Sequence, residues 1–240
     1  MTALTAERLQ MRYSSHTVVN DVSITIGRGE LVGLFGPSGS GKSTIFKMIV
    51  GASKPTAGRI LLDGQDLGTL PVDARARLGL GYVPQNPQLF SRLTVGQNIA
   101  IAVEANEANS VRRKAFVRAL CKTFDLDELI RSRVAALSGG ERKRCEIAFA
   151  LAGRPRFLLL DEPLTGLDPI VSDGILRTLA RFASVGMGIL LTDHKVRNAL
   201  SMVHRSYIVS RGIVIAEGSA RQIIGNESVR KSFLGADFRL

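Results

Sequence analysis

The sequence predicts an α/β fold with a mixed, mainly parallel sheet at its core, an antiparallel β subdomain towards the N-terminus and an inserted α-helical subdomain. Three observations predict it. Leu31-Val32-Gly33-Leu34-Phe35 is continuously apolar, as a strand buried on both faces must be, and it runs into a glycine-rich turn. Phe157 to Asp161 and Ile189 to Thr192 repeat that apolar pattern, each after a helical stretch in the βαβ manner. Between about Thr94 and Gly153 strand character disappears, which marks the helical insert.

The elements follow in order. Val22, Ile24 and Ile26 alternate with Ser23 and Thr25, the period of a half-buried antiparallel strand. After the apolar run and its turn, Thr44 to Val50 has helical apolar spacing and stops at Gly51, a residue suited to a left-handed C-cap. Within the insert, Ser110 is expected to cap a helix that gathers Phe116, Val117, Leu120, Cys121 and Phe124 on one face. Arg112, Arg113 and Lys114 fall mostly elsewhere on it. Tyr207-Ile208-Val209 and Ile213-Val214-Ile215, joined through Ser210-Arg211-Gly212, predict a late hairpin. The chain of 240 residues reads as one domain, 1–240, with the helical subdomain at about 94–153 and a C-terminal tail at about 219–240.

Composition narrows the function classes. Hydrophobic residues make up 45% and charged residues 22%, near the usual balance for a packed soluble domain. No apolar run approaches the roughly 18 residues that span a bilayer. Met1 to Arg8 lacks a basic segment followed by an apolar core, so a cytoplasmic chain is expected. Cys121 and Cys145 lie in helical patterns without metal-ligand spacing and are expected to be free, buried thiols. A net charge of +11 favours polyanions, whether nucleotide, nucleic acid or an anionic membrane surface, without choosing among them.

Three motifs carry chemistry. Gly36, Pro37, Ser38, Gly39, Ser40, Gly41, Lys42 and Ser43 match G-x-x-x-x-G-K-[ST], between a buried strand and a helix. Glycines there let successive N–H groups turn inward on an anion, and the helix N-terminus adds partial positive charge. Lys42 is expected to reach the β and γ phosphates of a nucleoside triphosphate, Ser43 to give a hydroxyl to Mg²⁺, and Thr44 to contact the α phosphate. Asp161 and Glu162 end an apolar run, where ligands collect in open parallel sheets. Asp161 would hold Mg²⁺ through water and Glu162 would polarise the attacking water. The third motif is Leu137-Ser138-Gly139-Gly140-Glu141, in which Ser138 can cap a helix and Glu141, three residues on, completes a capping box.

With all three motifs present, the chain resembles an ATPase subunit of the ABC transporter family from end to end. That resemblance implies ATP and Mg²⁺ as ligands and a head-to-tail homodimer, in which Ser138, Gly139, Gly140 and Glu141 of one chain close over ATP held by the partner's glycine loop. It further implies that Gln85 senses Mg²⁺ and the attacking water, that His194 contacts the γ-phosphate, that Asp168 lies at the dimer interface and that Tyr13 stacks on adenine. Two transmembrane permease subunits are implied as partners, with Leu89, Phe90 and Leu93 as apolar anchors.

Several stretches resemble the lipopolysaccharide-export branch of the family: Ala74 to Tyr82, Leu89 to Val95, Leu191 to Arg197 and above all the terminal Phe233 to Leu240. This implies an inner-membrane complex with a single-span accessory protein. The chain itself would sit peripherally on the cytoplasmic face, touching neither cargo nor nucleic acid. Ser91 and Phe149 depart from the arginines common in relatives at those places. Other readings are the ATPase of a branched-chain amino-acid importer and, from another class, a DNA-maintenance or ribosome-associated ATPase.

Overall fold

The computed structural model describes residues 2–86, 88–193, 196–235 and 238. Among the described residues, ten strands form two sheets. The first is antiparallel, in the order β2-β1-β4-β5, from β1 (Ala3–Tyr13), β2 (His16–Gly27), β4 (Ala57–Leu62) and β5 (Gln65–Asp66). The second has the order β10-β9-β3-β8-β7-β6, from β3 (Leu31–Phe35), β6 (Leu80–Val83), β7 (Phe157–Asp161), β8 (Gly188–Thr192), β9 (Arg205–Ser210) and β10 (Ile213–Gly218). Its pairs are parallel except β9 with β10, so the sheet is mixed, as expected.

The continuous apolar runs have the physical cause inferred from the sequence. Successive side chains of a strand point to opposite faces, and here each face meets a separate core. Leu31 and Phe35 of β3, Leu158 and Leu160 of β7, and Ile189 and Leu191 of β8 pack with the helical side of the molecule. Val32, Leu34, Phe157, Leu159 and Leu190 pack into the second core, with Ile45, Phe46, Met48 and Ile49 of α1 (Lys42–Val50) and the antiparallel sheet. α1 ends where the sequence places its stop, at Gly51 with φ of 87°.

Between β6 and β7 run α3 (Val95–Glu104), α4 (Ser110–Thr123) and α5 (Gly139–Ala152), the helices of the insert; α2 (Val72–Arg77) precedes β6. α4 differs from expectation in its cap. Asn109, not Ser110, accepts the N–H groups of Val111 and Arg112, because its amide oxygen already lies outside the first turn while Ser110 has entered the helix. Val117, Leu120, Cys121 and Phe124 are buried as expected, whereas Phe116 is only partly covered, with the Arg154 guanidinium 4.7 Å above its ring. Both cysteines are free and buried; burial pushes the Cys121 thiol up to about 11 and the Cys145 thiol to about 12, so both stay protonated and unreactive.

Beyond β7 come α6 (Pro169–Ser184), α7 (Val196–Met202) and, after the hairpin, α8 (Ala220–Gly225). Phe233, Leu234 and Phe238 of the tail share a cavity of about 410 Å³ with Pro169, Val196, Arg197 and Asn198. These three tail residues thus pack where α6 and α7 begin; residues 236, 237, 239 and 240 lie outside the described residues. Among the described residues, no helix is long and apolar enough to cross a membrane.

Candidate nucleotide site

The sheet delivers its chemistry at the carboxyl ends of three adjacent parallel strands, β3, β8 and β7. The glycine loop leaves β3 at Gly36, whose φ of +150° and crowding both require glycine: a Cβ there would lie 1.9 Å from the Val209 carbonyl oxygen. Gly36→Ala is therefore expected to cost on the order of 1–3 kcal/mol, the scale of overpacking, and to weaken nucleotide binding; thermal melts with and without ATP check both.

Lys42 is buried at the floor of the loop, and its ammonium donates to the Gly36 and Pro37 carbonyls, both at 2.9 Å. Desolvation lowers its pKa, although Glu162 and Asp161 oppose the shift. A cavity of about 290 Å³ opens beside it, lined by Val18, Ser38, Gly39, Ser40, Gly41, Lys42, Ser43, Thr44, Gln85 and Glu162. The strand register sets Asp161 opposite Thr192, and the Thr192 hydroxyl donates to Asp161 Oδ1 at 3.0 Å. Ser43 Oγ lies 3.3 Å from the same oxygen. Burial raises the Asp161 pKa, and these two hydroxyls pull it back.

Glu162, 8% exposed, leaves the strand with φ of 54°, a left-handed conformation unusual for a non-glycine residue. Its N–H is bound by the Thr192 carbonyl at 3.1 Å and the Thr192 hydroxyl at 3.0 Å, so neighbouring strand β8 holds the turn. Gln85 Nε2 donates to Glu162 Oε2 at 2.8 Å across the cavity mouth. Asp193 Oδ2 accepts the Leu164 N–H at 2.8 Å and so fixes the loop after Glu162. Thr192 and Asp193 were legible only as the approach to His194. A polar residue closing an apolar strand run beside Asp161 was the signal for Thr192. His194 itself lies outside the described residues.

Ser138, Gly139, Gly140 and Glu141 lie elsewhere. Ser138 caps α5, Glu141 returns the bond to the Ser138 N–H at 2.8 Å, and neither Ser138 nor Glu141 lines the cavity of its own chain. Ser138 and Gly139 are exposed, and a Cβ on Gly139 would meet nothing within 4 Å, so the helix N-terminus is open to an incoming group. Asp168 caps α6, accepting the Val171 N–H at 2.9 Å, and Ile170 next to it is 84% exposed. Tyr13 sits at the end of β1, half exposed, on the same sheet as the cavity residue Val18 but outside the cavity lining.

Residues 19–165 match the sequence model of a family described as ABC transporter. The chain belongs to the ABC transporter family. Over its whole length this ABC ATPase is 44% identical to the lipopolysaccharide export system ATP-binding protein LptB of Escherichia coli strain K12, with all of both chains aligned. A probable ABC transporter ATP-binding protein of Azorhizobium caulinodans is 45% identical, over 99% of this chain and 85% of that one. Among solved structures, a dimeric post-hydrolysis ATP-binding cassette bound to ADP and Pi superposes with a TM-score of 0.82 at 25% identity, covering 91% of this chain and 99% of that one. Nucleotide binding and ATP hydrolysis follow from the family.

Proposed function

We propose that the chain is the ATP-hydrolysing subunit of a lipopolysaccharide exporter, working as a head-to-tail homodimer beneath two transmembrane permease subunits and a single-span accessory protein. The full-length similarity to LptB carries this reading. In it the chain lies peripherally on the cytoplasmic face of the inner membrane and does not touch the cargo. Co-purification from membranes tests it: permease partners of a lipopolysaccharide bridge are expected, and partners of an amino-acid importer would replace the proposed cargo.

Each residue then has a task. Lys42 exchanges the Gly36 and Pro37 carbonyls for β and γ phosphate oxygens, while the N–H groups of Gly39 to Thr44 surround the phosphates. The Ser43 hydroxyl and Asp161 carboxylate, 3.3 Å apart, are hard oxygen donors suited to Mg²⁺ shared with phosphate and water, and Gln85 borders the same space. Bound there, Mg²⁺ would neutralise charge on the β and γ phosphates. Glu162 takes the proton of the attacking water once Gln85 releases its Oε2; His194 contacts the γ-phosphate and Tyr13 stacks on adenine.

The exposed helix N-terminus at Ser138, Gly139 and Gly140 gives the γ-phosphate its second set of donors, from the partner chain. Asp168 borders the same interface. Hydrolysis removes the group that bridges the two chains, and closure is lost with it.

Phe90 is 53% exposed, so its ring does not fill the local core, whereas Leu89 packs against it. The main chain at Phe90 is nevertheless held, because the Asn98 side chain accepts the Phe90 N–H at 2.8 Å and donates to its carbonyl at 3.1 Å. Phe90→Ala is expected to leave the melting temperature nearly unchanged and the ATPase activity of the isolated subunit within about twofold, the usual mildness of surface changes. Recovery of permease subunits with it should fall severalfold in the same pull-down.

A further inference from the structure

One buried cation takes no part in the chemistry above. Arg75, on α2, is 2% exposed and forms no ion pair with a carboxylate among the described residues. A guanidinium has five N–H donors in a rigid plane, and a buried one must place them all. Nη1 donates to the Met48 carbonyl at 2.9 Å and the Ile49 carbonyl at 2.7 Å, in the last turn of α1. Nη2 donates to Leu67 at 3.1 Å and Gly68 at 3.2 Å, and Nε to Leu70 at 2.9 Å. Every donor meets a main-chain oxygen. Gly51 makes room for this arrangement, since a Cβ on it would stand 2.8 Å from Nε.

The placement joins two parts of the nucleotide site. The last carbonyls of a helix carry its negative pole, so Arg75 caps the far end of the helix whose first residues, Lys42 and Ser43, line the candidate nucleotide cavity. On the other side it grips residues 67–70, and its own helix α2 leads through Gly79 into β6 and on to Gln85, ten residues after Arg75. Burial lowers its pKa and the Asp66 carboxylate, without an ion-pair contact, opposes that shift, while all five donors are met by main-chain carbonyls.

We propose that Arg75 is a positioning residue that mechanically couples the phosphate-binding helix to the segment carrying Gln85. When phosphates draw on the N-terminus of α1, the helix and the 67–85 segment move as one body. This inference rests on the nucleotide-site reading above. A lysine at position 75 keeps the charge but has three donors on a flexible stem, so it cannot span both sides in one plane.

Hydrogen exchange, with ATP added in the presence and absence of Mg²⁺, tests the coupling in the wild-type chain and in Arg75→Lys. In the wild type, protection is expected in residues 36–50 and also in 67–85. In Arg75→Lys, protection of 36–50 should persist while that of 67–85 falls at least severalfold, and the effects of Arg75→Lys and Gln85→Ala on ATPase KM should be non-additive, as for coupled sites. Unchanged transmission in Arg75→Lys, or a wild-type 67–85 segment indifferent to nucleotide, overturns the proposal. If Arg75→Lys does not fold, Arg75→Gln, whose single amide group cannot reach both sides, takes its place with the same expected and overturning outcomes. Failure of ATP to protect 36–50 in the wild type would instead overturn the nucleotide-site reading itself.

Discussion

Glu162→Gln is expected to cut ATP turnover at least ~10²-fold, the lower end of what a positioned general base supplies, while ATP binding persists. The substitution preserves shape. Its side-chain carbonyl can still accept from Gln85 Nε2, which now lies 2.8 Å from Glu162 Oε2, and the backbone turn is held by Thr192 whatever the side chain is. What disappears is the carboxylate's basicity. Because the γ-phosphate then stays in place, the closed dimer should accumulate, and light scattering with ATP should give twice the mass found without it. Turnover close to wild type would remove Glu162 from its role; lost turnover without a stable dimer would separate the chemical assignment from the mechanical one.

The second large effect concerns the shared site. Lys42→Ala and Ser138→Arg should each abolish hydrolysis when pure, the first by emptying the phosphate floor of its cation and the second by blocking the α5 N-terminus. An equal mixture should recover activity. In the mixed dimer one site combines both defects and the other combines an intact loop with an intact cap. For two-fold symmetric pairing at random, half the dimers are mixed and have one good site of two, so about a quarter of wild-type activity is expected if sites act independently. Absence of recovery, with mixed dimers demonstrated by tagged pull-down, would show that cradle and cap do not belong to one site. The separation of Ser138 from the cavity lining of its own chain is the structural ground for this prediction.

How much of this was legible in the sequence depends on how local the determining physics is. The α1 stop at Gly51 and the capping box of Ser138 and Glu141 depend on a handful of consecutive residues, and the structure has both. The doubly buried strands were legible because an apolar run of five residues admits few other placements. The cap of α4 was displaced by one residue, since Asn109 and Ser110 are both good caps and only the backbone path selects between them. β1, β4 and β5 carry weak local signals, and their pairing is decided by contacts between distant segments, such as Leu4 with Leu62.

The candidate site divides the same way. Lys42, Ser43, Asp161 and Glu162 were nameable from motifs, and the structure brings them together around one cavity. Thr192 and Arg75 were not. Thr192 acts because β8 happens to end beside β7, and Arg75 because α2 folds back onto the end of α1. The sequence by itself determined the nucleotide ligand class through the P-loop pattern, the buried runs that became β3, β7 and β8, and the helical insert. Only the tertiary structure decided which hydroxyl tunes Asp161, what holds Glu162 in its left-handed turn, that Phe90 stands free of the core, and that a buried guanidinium ties α1 to the path towards Gln85. The physical reason is range: a turn or a cap is stabilised by neighbours in sequence, whereas hydrogen bonds that close over 25 or more intervening residues exist only once the strands and helices have packed.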